Sequence, residues 1–418
     1  MQFPKKLSNL LNRMEGYNQN TYKVMPLNAD TVSAGKIISM RLPTNCLFDL
    51  SQFTMVFDLS TSNKSSGGTT HARFPNNLSS FIYRYEVLAG SQTISQGFND
   101  YGTGRIIKNI VDGSSTHRES RSVINHEFVT PQATDKIEDD YGHDIHAAAE
   151  GSVKTKGNTY FIDDFLGLFE LKKVLDLGAL PEISIRITMA NDNVLSGEDG
   201  CKWTMENVHF MCTTVGVDGV YEQIVERKIK EDKVIEIPFK QYYSISQRHS
   251  NSTRFSVSSQ SVDRIFGVFR DSAYATIGLA VDYDGFAGYK LSKYNNFVSG
   301  TSKDLKTQYS INHILYPQYQ ASKVANLKLL KQASMKETNE VYSLRTFLNN
   351  QFIVPLTLCA TPDTDNIDGF DSRNTASICE LNTIDLVPET NKAFDSYILI
   401  ETTSSLLIGA GKALEVRL

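Results

Sequence analysis

From residue 36 onward the chain alternates apolar and polar positions with a period of two, the signature of strands with one face in a core. The segment 53–59 (FTMVFDL) shows it, and 183–189 (ISIRITM) shows it most cleanly, with every second residue apolar. Similar runs return in the second half at 234–239 (VIEIPF), 264–269 (RIFGVF) and 351–358 (QFIVPLTL). Pro238 and Pro355 withhold a backbone donor and place their strands at sheet edges or strand ends. The first set closes in 203–215 (WTMENVHFMCTTV) and the second in 397–403 (YILIETT) followed by 413–418 (ALEVRL), both rich in β-branched and aromatic residues. This duplication predicts two similar β-domains in tandem.

A period near 3.6 appears in three places. Pro4 suits a first helical position, Phe3, Leu7, Leu10, Leu11 and Met14 share a face, and Gly16 is a natural stop, which predicts an amphipathic helix in an N-terminal arm, residues 1–24. Its apolar face has three uses open to it: its own domain, a neighbouring subunit or minor protein, or a membrane surface. Val220, Ile224, Val225 and Ile229 predict a linker helix over 218–232. The stretch 321–333 (ASKVANLKLLKQA) predicts a helical excursion from the second domain. Residues 25–217 and 233–418 then form the two β-domains. Polar loops fall at 60–72 and 112–158, and the second, too long for an ordinary connection, reads as an outward projection. The fold class expected is all-β, with two tandem eight-stranded antiparallel jelly-roll sandwiches and a few short helices. Periodicity itself reaches only paired sandwiches, since Greek-key connectivity leaves no periodic trace.

Composition narrows the function. A chain of 418 residues exceeds a single core and suits two domains. The net charge of -5 offers no basic field for a nucleic-acid backbone. Cys46, Cys201, Cys212, Cys359 and Cys379 are odd in number and scattered, so neither a disulfide framework nor a zinc site is expected, and folding in a reducing compartment is. No signal-peptide h-region follows Lys5 and Lys6, and no run of apolar residues is long enough to span a membrane.

Motifs across both halves point further. Residues 42–45 (LPTN) with Asp49, then 73–82 (RFPNNLSSFI), Arg84, Glu86, Val87 and Gly90, are followed in the second half by 259–270 (SQSVDRIFGVFR). After these come 308–312 (QYSIN) leading into 315–317 (LYP), and 368–371 (DGFD). In this order the chain resembles the double jelly-roll major capsid proteins of the adenovirus, virophage and polinton-like virus lineage over residues 25–418. The resemblance implies a homotrimer forming a pseudo-hexagonal capsomer that tiles an icosahedral shell around a double-stranded DNA genome. Neighbouring capsomers, penton and minor or cement proteins would be its partners, with an inner membrane as a further one, and the virion its location. The chain is shorter than an adenovirus hexon, which implies compact loops rather than tall towers. No enzymatic activity and no cofactor are implied.

Candidate chemistry is sparse. Asp363, Asp365, Asp368 and Asp371 cluster around Gly369 as a loop that could wrap a hard cation, although the EF-hand spacing fails: Ile367 holds a ligand slot and Asn374 stands where a bidentate Glu is required. The ordinary alternative is a solvated turn. Asp139, Asp140, His143, Asp144 and His146 form a second polar cluster that reads as a surface loop. His126, His209 and His313 have no nucleophilic partner in sequence. Gly102 and Gly104 superficially resemble a phosphate loop but lack its frame. The alternative function is a tandem jelly-roll carbohydrate-active enzyme or glycan-binding protein, which needs two opposed carboxylates in a cleft.

Overall fold

The computed structural model describes residues 18–62, 74–75, 77–112, 159–197, 199–216, 234–278, 281–283, 286–334, 344–361, 366–373, 377–388 and 393–418. The expected N-terminal and linker helices, the loop beyond Asp112 with its His/Asp cluster, and most of the loop 60–72 lie outside the described residues.

Residues 18–216 carry strands β1 (Asn18–Val24), β2 (Val32–Ser33), β3 (Ile37–Arg41), β4 (Leu47–Asp49), β5 (Thr54–Ser62), β6 (Ile82–Ala89), β7 (Gln92–Ser95), β8 (Thr159–Ile162), β9 (Val174–Asp176), β10 (Ile183–Met189) and β11 (Lys202–Gly216). Helix α1 (Tyr101–Asp112) falls between β7 and β8. One sheet runs β8-β5-β11-β4-β9, with β1 and β2 also on β11, and it faces β3-β10-β6-β7.

Residues 234–417 carry β12 (Val234–Arg248), β13 (Ser252–Ser256), β14 (Val262–Asp271), β15 (Val281–Tyr283), β16 (Phe286–Leu291), β17 (Lys306–Ile311), β18 (Ile314–Ser322), β19 (Ile353–Thr357), β20 (Ile378–Ile384), β21 (Phe394–Gly409) and β22 (Leu414–Arg417). Helices α2 (Lys323–Ala333) and α3 (Leu344–Asn350) lie between β18 and β19. Here β12-β21-β14-β19 faces β13-β20-β17-β18, while β15 and β16 form a hairpin and β22 extends β21.

Counting only the eight principal strands of each unit in chain order, both units pair them as 1-8-3-6 and 2-7-4-5. That is the jelly-roll connection made twice. Both also place a helix between the fifth and sixth strands. The pattern in sequence explains the layers. In β10 the burial alternates strictly from Ile183 to Met189, and its apolar side meets Met55, Phe57 and Leu59 of the facing sheet in one core. Aromatic rings fill the first sandwich, with Phe53 within 5.6 Å of Phe165, Phe169 and Phe210. Pro238 and Pro355 lie in β12 and β19, the two edges of their sheet, as their missing N–H requires. Helix α2 starts where Ser322 accepts from the N–H of Ala325, an N-cap the sequence supplies one residue before the apolar run. His313 turns the two-residue β17–β18 hairpin with Asn312, both at positive φ, so its ring serves a bend rather than a site.

His249, between β12 and β13, ties the two sheets of the second sandwich. Its Nδ1 is 3.0 Å from Thr253 Oγ1, its Nε2 is 2.7 Å from Thr383 Oγ1, and its ring stands edge-on to Phe269. Burial lowers its pKa to about 4. A base that is harder to protonate when folded stabilises fully above its ordinary value and loses that contribution as pH falls from about 6.5 toward 4. Urea midpoints of the wild type should therefore drop across this window, and His249→Gln should flatten the drop; an unchanged slope in the variant would refute the assignment.

Candidate functional site

Among the described residues, buried charge gathers at the seam where the two sandwiches meet, and the seam is built on one strand. In β14 the side chains of Ile265 and Phe269 enter the sandwich core, so the alternate positions Arg264, Phe266, Val268 and Arg270 face outward. Outward here is not toward water, since Arg264 and Arg270 are both fully buried. Helix α1 of the first sandwich lies over them. Six strand residues separate the arginines, about 20 Å, and twelve residues separate Asp100 from Asp112, about 18 Å along a helix. The two elements therefore match end to end.

At the far end, Arg264 Nη1 and Nη2 donate to Asp112 Oδ1 and Oδ2 at 2.9 and 3.0 Å. Its Nε and Nη2 donate to Glu401 of β21 at 3.0 Å, and Nη1 also donates at 2.8 Å to the carbonyl of Ala333, the last residue of α2. All five guanidinium donors are used, which lets this charge be buried. Lys108 adds Nζ contacts of 2.7 Å to Asp112 and 3.1 Å to Glu401. Burial by itself would raise both carboxyls, but the charges of Arg264 and Lys108 outweigh it and hold Asp112 and Glu401 below the usual carboxylate range.

At the near end, Arg270 donates to Asp100 Oδ2 at 2.6 Å and to Thr103 Oγ1 at 2.9 Å, and lies 3.8 Å from the ring centre of Tyr274 with Tyr294 and Tyr397 beside it. Tyr294 donates its hydroxyl to the other oxygen of Asp100. Between the ends the helix comes close: a side-chain carbon at Gly102 would sit 2.4 Å from the Cα of Ser80, and one at Gly104 2.4 Å from the Phe98 ring. These two glycines, superficially like a phosphate loop, permit a close helix approach instead. Strand β12 completes the seam. Gln241 donates to the Ile94 carbonyl at 2.7 Å, Tyr242 to Glu170 Oε2 at 2.6 Å, and Lys240 to Asp263 Oδ2 at 2.8 Å. Each of these carboxylates is held by a cation or hydroxyl, and the contacts tie the two sandwiches together.

The acidic loop stands apart. Asp363 and Asp365 lie outside the described residues. Asp368 Oδ2 accepts from Thr361 Oγ1 at 2.8 Å, and Asp371 is bound in a fork by Arg373, whose hydrogen bonds hold its carboxyl at about 2. Gly369 N–H donates to Ser261 Oγ, which docks this turn against the start of β14. Among the described residues no group of three or more His, Cys, Asp or Glu is placed to hold a metal ion. His209 Nδ1 is 2.7 Å from the Asn207 carbonyl at a β-bulge. The five cysteines form no disulfide. No helix among the described residues is long and apolar enough to cross a membrane.

Over 96% of its length this chain superimposes on 97% of a chain from the capsid of the virus PBCV-1, with a TM-score of 0.62 at 11% identity. The fold is the double jelly roll of viral major capsid proteins. The Faustovirus major capsid protein matches with a TM-score of 0.61 at 10% identity, covering 94% of this chain and 91% of that one. The mavirus major capsid protein matches at 0.56 and 8%, covering 95% and 90%. No family model and no curated protein matches the sequence.

Removing one partner of a buried ion pair leaves the other uncompensated. Glu401→Gln should cost about 3–5 kcal/mol in chemical denaturation, and a loss below about 1 kcal/mol would mean the network is not holding the seam. Gly102→Ala should cost about 1–3 kcal/mol through the forced shift of α1 from Ser80, whereas an unchanged melting temperature would show that the helix has room.

Proposed function

We propose that this chain is a major capsid protein, a structural subunit without catalytic activity that forms homotrimers. Three copies present six similar sandwiches, so the trimer fits a hexagonal lattice position in an icosahedral shell around a double-stranded DNA genome while each sandwich keeps its own loops. Its partners are then other copies of itself, neighbouring capsomers, and the penton and minor proteins that complete a shell; the virion is its location. The observation that carries the reading is the repeated strand order 1-8-3-6 and 2-7-4-5, joined by a seam built on two fully buried arginines. A hexagonal block needs two equivalent walls held at a constant angle, and a hinged pair of domains would not supply them. The likeness to capsid proteins over nearly the full length of both chains supports it. The net charge of -5 agrees with a wall that does not itself grip nucleic acid.

Light scattering combined with negative-stain imaging of the purified protein tests this. A particle of three times 46.7 kDa with a hexagonal outline is expected. A protein that stays monomeric at high concentration contradicts it.

A further inference from the structure

Beside the Arg264 network, one ion pair lies wholly within the second sandwich. Lys240 of β12 reaches across β21 to Asp263 of β14, with Nζ 2.8 Å from Asp263 Oδ2. Asp263 is the extra residue of a β-bulge, between Val262 and Arg264, and stands opposite no residue of β21. Glu401 Oε1 is 4.0 Å from the same amine, but Glu401 is already held by Arg264 and Lys108. Asp263 is therefore the carboxylate that Lys240 serves.

The pair is nearly dry. The Lys240 and Asp263 side chains are 12% and 1% exposed, and Ser261 and Thr403 beside them are fully buried. Two charges held out of water are costly to keep, and condensing them to an amide removes both at once. The surrounding hydroxyls are arranged for that condensation. Gly369 N–H donates to Ser261 Oγ at 2.9 Å, which directs the Ser261 hydroxyl proton onto Asp263 Oδ1, 2.7 Å away. At the other oxygen, Lys240 Nζ donates to Thr403 Oγ1 at 2.9 Å, and Thr403 donates in turn to Asp263 Oδ2 at 2.6 Å. One carboxyl oxygen is thus polarised as the carbonyl of an amide, while the other is supplied with protons as a leaving group.

We propose that Lys240 and Asp263 join in an isopeptide bond formed by the folded chain itself. A proton first passes from the ammonium to Oδ2, leaving a neutral amine beside a neutral carboxylic acid. The Nζ lone pair then attacks Asp263 Cγ, and Ser261 meets the charge that develops on Oδ1. A second proton leaves Nζ and reaches Oδ2 through Thr403. The Cγ–Oδ2 bond breaks with its electron pair going to oxygen, and one water departs past the solvent-exposed part of the Lys240 side chain. Nothing is oxidised or reduced, and no co-reactant enters. The fold supplies the proximity that makes the condensation intramolecular. It happens once per chain, so it is a self-modification and not an enzymatic activity. The product staples β12 to β14 across β21, within the sheet that carries Arg264 and Glu401.

Intact mass of the native full-length protein, followed by a tryptic digest, tests this. The chain should be lighter than its sequence by one water. Because trypsin does not cut after an acylated lysine, residues 234–248 should emerge joined to residues 255–264. Lys240→Arg keeps the charge but cannot form this amide, and should restore the full mass. Thr403→Val removes the relay and should slow the linkage by about 100-fold, seen as a linked fraction that grows during incubation; linkage as fast as in the wild type contradicts the relay. A native wild type of full mass, whose digest gives residues 255–264 alone, overturns the proposal. So does a loss of water that persists in Lys240→Arg, which would place it elsewhere in the chain. Both readouts are independent of oligomeric state, so the trimer reading stands or falls separately.

Discussion

The structure depends on burying two arginines of a single strand under a helix from the other domain. A guanidinium taken out of water is costly unless its donors are met, and Arg264 meets all five only when α1, β21 and the end of α2 are in place together. The first sandwich, the second sandwich and a helical excursion therefore converge on one side chain. Arg270 repeats the device at the other end of the helix with aromatic rings in place of a second carboxylate. Contacts at both ends of α1 oppose rotation about either one.

Duplication makes this joint meaningful. Two sandwiches of identical strand order joined flexibly would be two beads on a chain; joined by a buried seam they form one block with two similar walls.

Much of the fold was legible in the sequence. The alternation in 183–189, the edge placement from Pro238 and Pro355 and the helix at 321–333 all followed from local rules: β10 and α2 have one face in a core and one outside, and a proline lacks the N–H an inner strand needs. Strand order was reachable only through resemblance. Helix α1 went unread although Arg105, Lys108, Asn109 and Asp112 recur at helical spacing opposite Ile107, Ile110 and Val111: Gly102 and Gly104 weaken its propensity, and its polar stripe is buried in the seam rather than turned to water. The seam was hidden too. In β14 an arginine at an outward position looks the same in sequence whether it faces water or another domain. The partners that decide the matter, Asp112 and Glu401, lie 152 and 137 residues away. The one available signal was two arginines six residues apart in a strand otherwise apolar enough to be buried on both faces.

Native-state hydrogen exchange on the full-length protein tests the central claim most directly. If the seam makes one unit of the two sandwiches, the amides of α1, which belong by sequence to the first, should exchange at the same slow rate as those of β14 and β21 and through the same opening event. Exchange of α1 well ahead of both strands, with the second sandwich still protected, would show that the domains separate at the seam and would contradict the account.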